Sequence, residues 1–410
     1  MTARPLRILW TLPYLPWPTT SGGKLRQYHL LRCMAARGHR ITLLVQSKMP
    51  LDEPARQQLE PLLERLIVLP RRPLRSWRTM LAALASPLPL LASVNGYAAA
   101  LSRRFDALLE ERWDVVQIEH SYAFQPYAAA LARHRQPFVL TEHNVESSLS
   151  KATYRRLPAP LRLLAGIDQW RYRRWERRVL RQATRLVALT PADAAAFERL
   201  SGRSASLVVN GAETDAFAAV HPDPLAQRVM YVGNYEYAPN VDAVAWLLSD
   251  IMPRLWRLLP QARLSLCGHA MPTTWRERWP DPRIEWLGYV EHLDAVQARA
   301  SAFVAPLRDG GGSKLKVIEA MAAGLPLAST AHGVSGLEVR DGAHFRQGDD
   351  ADALAGALAA LLQSPADAQR LGQAGRSYVR EHHDWKISAA QLDAVYRELC
   401  ANPVEAAACV

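Results

Sequence analysis

A glycine-rich segment followed by a helix pattern holds the residues of this sequence best suited to chemistry. The segment reads Arg308-Asp-Gly-Gly-Gly-Ser-Lys314, and apolar positions at helical spacing come next. Gly310, Gly311 and Gly312 let the backbone approach an anion closely, and the free N–H groups of a first helical turn would point at it. Lys314 adds a positive charge at the same end. The segment therefore predicts a loop that binds a phosphate-like anion.

A carboxylate lies at a useful distance from this loop. Glu319 is five residues into the helix pattern, where it can accept hydrogen bonds from a vicinal diol such as a ribose. In the alternative interpretation, the glycines only form a tight turn and Glu319 pairs with Lys316 on the helix surface.

Polar residues in the first half of the chain stand directly after apolar strand patterns. Gly22-Gly23 lie between a first strand and a first helix, and Glu119-His120 and Glu142-His143-Asn144 follow two later strands. Ligands of open α/β sheets bind beyond the carboxyl ends of the strands, so these residues are candidates for a second ligand site. The alternatives are a simple helix start at the glycines and ordinary core or surface histidines.

Short apolar strands alternate with helices twice along the chain, which predicts an α/β fold of two doubly wound parallel-sheet domains facing a central cleft. Residues 218–227 contain two prolines and little pattern, so the linker is expected there. The predicted domains are residues 1–217 and 225–385, followed by a last helix at 386–400. Expected strands include 7–12, 114–118, 138–140, 185–189, 229–232, 262–266, 284–287 and 302–306.

The composition is that of an ordinary globular protein with one strongly basic segment. The 410 residues are 49% hydrophobic and 22% charged, with a net charge of +11. Eleven of the basic residues lie between Lys151 and Arg185, against only Asp168 and Glu176. A local charge without a recognition motif argues against a nucleic-acid partner.

The cysteines and the apolar runs point to a cytoplasmic protein. Cys33, Cys267, Cys400 and Cys409 have no paired spacing, so reduced thiols are expected. Prolines cut the first apolar run, so we expect no signal peptide. No run reaches the length of a membrane-spanning helix.

The string Glu319-Ala-Met-Ala-Ala-Gly-Leu-Pro326, with the glycine loop before it, resembles the nucleotide-sugar motif of retaining GT-B glycosyltransferases of family 4. The resemblance extends over almost the whole chain, because other motifs follow in the family's order. Ser21-Gly22-Gly23-Lys24 is similar to the opening loop of a bacterial subgroup associated with exopolysaccharide assembly. The remaining motifs are Glu142–Glu146, Asn210-Gly211, Val232-Gly-Asn234 with Pro239-Asn240, and Leu287–Val290.

Two departures from the family pattern concern the charges of the donor site. The first glutamate of the family's pair is replaced by Gly311, and the Arg–Lys pair that binds the diphosphate falls on Asn234 and Pro239. Lys314, with Arg308 or Lys24, would then have to balance the diphosphate charge.

The resemblance implies a place for each part of the substrates. The diphosphate of a UDP, GDP or TDP sugar would lie on the loop Gly310–Lys314, which includes Ser313, and the ribose on Glu319. His143 would contact the transferred sugar, with His120 as the alternative. The other implied donor residues are Gly22, Gly23, Gly233, Asn234, Tyr289 and Val290, and the other acceptor or sugar residues are Glu142 and Asn144. His143, Glu319 and Lys314 are the implied catalytic residues.

The implied activity is a retaining transfer of a sugar to a hydroxyl acceptor, such as a lipid-linked glycan or an exopolysaccharide precursor. No Asp-Xaa-Asp follows a strand, so neither a metal nor another cofactor is expected. Two alternatives stay open. One is a non-catalytic subunit of the same fold, and the other is a nucleotide-sugar epimerase.

Two basic and aromatic segments, 71–94 and 154–185, suit contact with an anionic membrane surface, because arginines alternate there with Trp170, Tyr172 and Trp175. A protein peripheral to the inner face of the membrane is the resulting expectation. In the alternative, the arginines form a solvated helix face and the aromatic rings belong to the core.

Overall fold

The computed structural model describes residues 4–71, 77, 81, 86–96, 98–147 and 159–401, with side chains from residue 165 onward in the last range. The chain forms two compact units. Unit 1 comprises Met1–Val209 and Ala389–Val410, and unit 2 comprises Asn210–Ser388.

Unit 1 is built on a seven-stranded parallel sheet in the order β3-β2-β1-β4-β5-β6-β7. Its central strands are almost wholly buried apolar runs, as helices on both faces of a parallel sheet require. The order reverses between β1 and β4, and this switch point is where such sheets bind ligands. The strands are β1 Arg7–Leu12, β2 Arg40–Ser47, β3 Arg65–Pro70, β4 Val115–Glu119, β5 Val139–Thr141, β6 Arg185–Ala188 and β7 Ser206–Leu207.

Helices of unit 1 connect successive strands. They are α1 Gly22–Ala36, α2 Glu53–Leu59, α3 Leu90–Gly96, α4 Ala99–Leu108, α5 Gln125–His134, α6 Ala159–Gln182 and α7 Pro191–Ser201. The later part of the last helix of the chain, Trp385–Ala401, also belongs to this unit. There, the Tyr396 hydroxyl donates a hydrogen bond to Gln117 on β4 (3.2 Å), and its ring meets the edge of Trp10 on β1.

Unit 2 repeats the plan with a six-stranded parallel sheet in the order β10-β9-β8-β11-β12-β13. The strands are β8 Arg228–Val232, β9 Arg263–Cys267, β10 Ile284–Gly288, β11 Ala302–Ala305, β12 Leu327–Ser329 and β13 Arg346–Gln347. The helices are α8 Thr214–Phe217, α9 Ala238–Trp246, α10 Met252–Leu258, α11 Trp275–Arg278, α12 Leu293–Ala298, α13 Leu315–Ala322, α14 Ala351–Gln363, α15 Pro365–His382 and α16 Trp385–Ala401. Only the first four residues of α16 are in this unit. The two sheets confirm the predicted α/β architecture with parallel strands.

The segment 218–227 packs within unit 2. Val220 is buried, its carbonyl oxygen accepts a hydrogen bond from the Arg376 guanidinium, and the Asp223 amide bonds to Ala298. Along the described residues, no helix has the length and apolar character needed to cross a membrane.

Candidate functional site

The glycine loop of unit 2 has a backbone that only glycine tolerates. Gly310 and Gly312 have φ values of +117° and +64°, in the left-handed region where a Cβ is strained. A Cβ on Gly310 would also lie 3.2 Å from the Tyr237 hydroxyl. The loop therefore packs against the segment that follows β8, and it leads directly into α13.

Lys314 holds this loop together from its end. Its ammonium donates hydrogen bonds to the carbonyl oxygens of Gly310, Gly311 and Gly312, at 3.0, 3.2 and 2.8 Å. The His332 ring nitrogen Nε2 lies 2.9 Å from the Gly310 carbonyl oxygen. The Lys314 ammonium is thus used to hold the three glycine carbonyl oxygens of its own loop.

Ser313 connects the loop to the beginning of unit 2. Its hydroxyl accepts a hydrogen bond of 2.9 Å from the Asn210 side chain, and the Asn210 carbonyl oxygen lies 2.8 Å from His383 Nδ1. Gly211 is needed here, because a Cβ would lie 2.7 Å from the Trp385 backbone nitrogen. The predicted Asn-Gly motif is therefore part of the support of the loop.

Glu319 presents a half-buried carboxylate on α13 that has no hydrogen-bond or ion-pair partner among the described residues. Burial, opposed by Lys316 and reinforced by Glu213, raises its pKa to about 7. The alternative in which Glu319 pairs with Lys316 is wrong, because Lys316 bonds instead to Tyr231 and Asn240. A carboxylate without a partner is free to accept the two hydroxyls of a diol.

The remaining predicted donor residues lie at the carboxyl ends of β8 and β10. Gly233 is buried, and a Cβ there would lie 3.2 Å from the Asn240 side chain. Asn234 caps its own loop by accepting a hydrogen bond from the Glu236 amide (2.9 Å). Tyr289 is exposed and meets the edge of the His269 ring, and Val290 is half-buried against the core.

In unit 1, the first glycine turn and the two histidines come together. A Cβ on Gly23 would lie 2.9 Å from the Tyr14 hydroxyl and 3.7 Å from His143 Nδ1. The same hydroxyl lies 3.2 Å from His120 Nε2, and the centres of the two histidine rings are 4.3 Å apart. Gly22 is the exposed first residue of α1. The carboxyl ends of β1, β4 and β5 thus form one polar cluster at the switch point of the sheet.

His143 is buried and oriented by two neighbours. Its Nε2 lies 3.1 Å from Glu119 Oε2 and 3.3 Å from the amide nitrogen of Gln27. Burial, with the Arg26 guanidinium nearby, lowers the pKa of His143 to about 3, so its ring is neutral near pH 7. Burial raises the pKa of Glu119 to about 7. When Glu119 is ionised, it accepts the Nε2 proton and leaves the Nδ1 lone pair on the side of Gly23.

His120 and Glu142 are buried, and each has one polar atom without a hydrogen-bond partner among the described residues. The backbone of His120 has a φ of +67°, and its Nδ1 has no hydrogen-bond partner in the described part of the chain. Burial lowers the pKa of His120. Glu142 accepts a hydrogen bond from the Ser121 amide through one oxygen, while its other oxygen is buried without a described partner. Asn144 is half-buried next to them.

The same cluster is a possible set of metal ligands. One ligand atom each from Glu119, His120 and His143 lies within 4.8 Å of the others. The Arg26 guanidinium is close enough to influence the pKa of all three groups, and its charge disfavours a cation there. Arg26 itself is held by the carbonyl oxygens of Val208 and Val209, each at 2.9 Å.

Several residues of these sites have no distinctive sequence signal. Gln27 and Arg26 lie inside α1, where no motif distinguishes them from the other polar residues of the helix. Gly268 has a φ of +135°, and a Cβ there would lie 1.8 Å from the Gly233 carbonyl oxygen, so two glycines cross closely at the ends of β8 and β9. Only the distance between these backbones shows why Gly268 is required.

The basic segment divides between surface and core. Tyr172 and Trp175 of α6 are buried, whereas Trp170 is 59% exposed beneath the Arg174 guanidinium. An open groove beside Trp170 is lined by the arginines Arg173, Arg174, Arg177, Arg178, Arg181 and Arg199. Residues 72–76, 78–80, 82–85 and 148–158 lie outside the described residues, so half of the 71–94 segment and the start of the 154–185 segment are not placed.

Two parallel-sheet α/β units are the architecture of the GT-B fold. Two family models match consecutive parts of the chain. Residues 21–212 match the family described as "Glycosyl transferase 4-like domain", and residues 226–364 match "Glycosyl transferases group 1". The chain belongs to the group 1 glycosyl transferases.

Characterised relatives are similar to part of the chain. A glycogen synthase of Mycobacterium tuberculosis is 32% identical over 193 residues, which cover 44% of this chain and 44% of that relative. A phosphatidyl-myo-inositol mannosyltransferase of Mycobacterium leprae is 27% identical over 212 residues, 49% of this chain and 55% of the relative. The chain thus spans about half the length of the curated relatives it matches.

Solved structures share the fold over nearly the whole chain. A sucrose-phosphate synthase from Thermosynechococcus elongatus superposes with a TM-score of 0.70 at 20% identity, covering 97% of this chain and 99% of that one. HepE of Anabaena, in complex with UDP and glucose, gives a TM-score of 0.65 at 15% identity, and the match covers 96% of this chain and 100% of HepE. At these identities the likeness establishes the GT-B fold alone.

Proposed function

We propose that this protein is a retaining glycosyltransferase that moves a sugar from a nucleoside-diphosphate sugar to a hydroxyl acceptor without a metal. The observation that carries the proposal is the pair formed by the glycine loop and the unpartnered Glu319 carboxylate on the helix behind it. The loop supplies backbone N–H groups for a diphosphate, and the carboxylate suits a ribose. Unit 2 is therefore assigned to the donor and unit 1 to the acceptor.

The proposed reaction proceeds through loss of the diphosphate from the anomeric carbon. As that bond breaks, oxocarbenium character develops on the sugar, and the negative charge grows on the leaving oxygen. The N–H groups at the loop stabilise that oxygen, because fixed dipoles act strongly where water is excluded. The acceptor hydroxyl attacks the same face and passes its proton to the departing phosphate, so no carboxylate base is needed.

The comparisons favour UDP or GDP as the nucleotide. HepE was solved with UDP-glucose, and two mannosyltransferases that resemble parts of this chain are described as GDP-mannose-dependent. A lipid-linked acceptor is consistent with the phosphatidylinositol-directed activity in those names. We take a lipid-linked glycan or an exopolysaccharide precursor as the acceptor class.

A ligand screen followed by a turnover assay tests the proposal. We expect UDP, GDP or TDP, or the corresponding nucleotide sugars, to raise the Tm, since a ligand that binds only the folded state stabilises it. The nucleotide sugar that gives the largest shift should then be consumed in the presence of EDTA and a membrane-lipid extract, with the anomeric configuration of the sugar retained. Binding without turnover would favour a non-catalytic subunit, and conversion of the donor to its epimer would favour an epimerase.

We further propose that the arginine groove of α6 contacts anionic lipid. Within the described residues, none of Arg173, Arg174, Arg177 and Arg178 forms an ion pair, although the charge of Arg173 acts on Glu176. Trp170 lies at the edge of the groove. Four unpaired guanidinium groups next to an exposed indole match a surface of lipid phosphates. This contact would bring unit 1 to a lipid-linked acceptor.

The double variant Arg173→Gln/Arg177→Gln should bind anionic vesicles about 30-fold more weakly, because each arginine near such a surface contributes about 1 kcal/mol. Sedimentation with phosphatidylglycerol vesicles measures the effect. The control variant Arg103→Gln/Arg104→Gln, which changes two exposed arginines of α4, should bind like the wild type. Equal binding to anionic and neutral vesicles by the wild type would contradict the proposal.

A further inference from the structure

In unit 2, the basic residues that the sequence offers for balancing a diphosphate already have other partners. Arg308 forms an ion pair with Asp242 (Nη2–Oδ1 2.8 Å) and stacks on Trp246. Lys314 donates to three carbonyl oxygens of its own loop. Asn234 and Pro239, where the family resemblance places the Arg–Lys pair, carry no charge. A diphosphate bound at the loop would still need a cation.

Lys316 supplies a cation beneath both loops of the proposed donor site. Its ammonium donates hydrogen bonds to Asn240 Oδ1 (2.6 Å) and to the Tyr231 hydroxyl (2.9 Å), and it lies 4.5 Å from the centre of the Tyr231 ring. Both partners are neutral, and no carboxylate of the described residues lies within ion-pair distance of this ammonium. The third N–H of the ammonium has no described acceptor.

The partners of Lys316 place it at the base of the loop after β8. Asn240, which accepts from Lys316, also donates a hydrogen bond of 2.8 Å to the Asn234 carbonyl oxygen. Lys316 is two residues beyond Lys314, on the first turn of α13. The loop after β8 in turn packs on the glycine loop, since a Cβ on Gly310 would be 3.2 Å from the Tyr237 hydroxyl. Lys316 therefore lies where the two loops meet.

We propose that Lys316 is a diphosphate-binding residue that replaces the missing Arg–Lys pair of the donor site. This inference rests on the proposed function. The ammonium reaches the base of the loop after β8 from the adjacent helix, and among the described residues no carboxylate lies within ion-pair distance of it. Burial, followed by the charge of Lys314, lowers the pKa of Lys316 to about 7, so an arriving diphosphate would draw a proton onto it.

The test compares ligands with and without phosphate. In isothermal titration calorimetry, Lys316→Met should bind the tightest of UDP, GDP, ADP and TDP about 10- to 30-fold more weakly than the wild type, as expected for a lost charged hydrogen bond. The affinity of Lys316→Met for inorganic pyrophosphate should fall by a similar factor. Its affinity for the matching nucleoside should change by less than about 2-fold. Lys316→Arg should retain most of the diphosphate affinity, because it keeps the charge.

Lys386→Met is the matched control, since Lys386 is an exposed lysine of the same unit, paired with Asp215. It should bind every ligand like the wild type. If Lys316→Met does not fold, Lys316→Gln removes the same charge and keeps a hydrogen-bond donor. Equal losses for nucleoside and diphosphate, or no loss at all, would overturn the inference and leave the proposed function standing. A wild-type protein that binds no nucleoside diphosphate would overturn both.

Discussion

His143→Asn should lower kcat for sugar transfer by about 100- to 1,000-fold while leaving the donor KM within about 3-fold of the wild type. A buried, neutral imidazole oriented by Glu119 is a fixed dipole, and the removal of one such group from a water-excluded site typically costs this much in rate. Since the pKa of His143 is lowered to about 3, its role is that of a neutral hydrogen-bonding group rather than a cation. Steady-state kinetics with the nucleotide sugar found in the screen measures the change.

His134→Asn is the appropriate control for this experiment. His134 is an exposed histidine of unit 1 that pairs with Asp106 at 3.0 Å, and its replacement should leave kcat unchanged. A His143→Asn enzyme with a normal Tm and a normal kcat would remove His143 from the catalytic residues. His120, which is 4.3 Å away between ring centres, would then be the next residue to test.

Glu319→Ala should reduce kcat/KM for the donor about 100-fold, mainly through a higher KM. The carboxylate has no partner to lose within the described residues, so its removal should not disturb the fold, whereas two charge-assisted hydrogen bonds to a ribose would disappear. Glu319→Gln retains one hydrogen-bond acceptor, so its kcat/KM for the donor should be reduced by about 10-fold, between the values of the wild type and Glu319→Ala.

A ligand comparison separates a ribose contact from a general effect. The wild type should bind a nucleoside diphosphate more tightly than its 2′-deoxy analogue, and Glu319→Ala should bind the two alike. Glu277→Ala, at an exposed glutamate on α11, should behave like the wild type in both assays. Transfer at the parent rate by Glu319→Ala would refute the assignment of the ribose to this carboxylate.

Hydrophobic patterning was sufficient to predict most of the fold. The strand at 7–12 was predicted with its observed bounds, and the other buried strands agree within one or two residues, because continuous apolar runs between turn residues are typical of parallel sheets. The apolar pattern of residues 240–256 indicates a single helix, yet a π turn at Leu247–Ile251 separates α9 from α10. Apolar residues occupy both sides of that turn, so periodicity alone does not reveal it. The two-residue β13 is too short to leave a pattern.

The candidate sites were predictable where a motif carried them and not where packing decides. The glycine loop, Glu319 and the histidines after β4 and β5 all follow from residue type and position relative to a strand. The direction of a lysine side chain does not. Lys314 and Lys316 look alike in sequence, yet one turns back on its loop and the other reaches Asn240, 76 positions away. Likewise, Tyr172 and Trp175 are core residues and Trp170 is not, which depends on which side of α6 faces the sheet.

The way the last helix is shared has a practical consequence for work on isolated fragments. Unit 1 is discontinuous in sequence, since residues 389–401 complete a body that otherwise ends at Val209. A fragment that stops there would expose the indole of Trp10 and leave Gln117 without the Tyr396 hydroxyl in its interior. Expression of unit 1 by itself therefore requires grafting the carboxyl-terminal segment back through an engineered connection, and affinity tags are better placed at the opposite end of the chain.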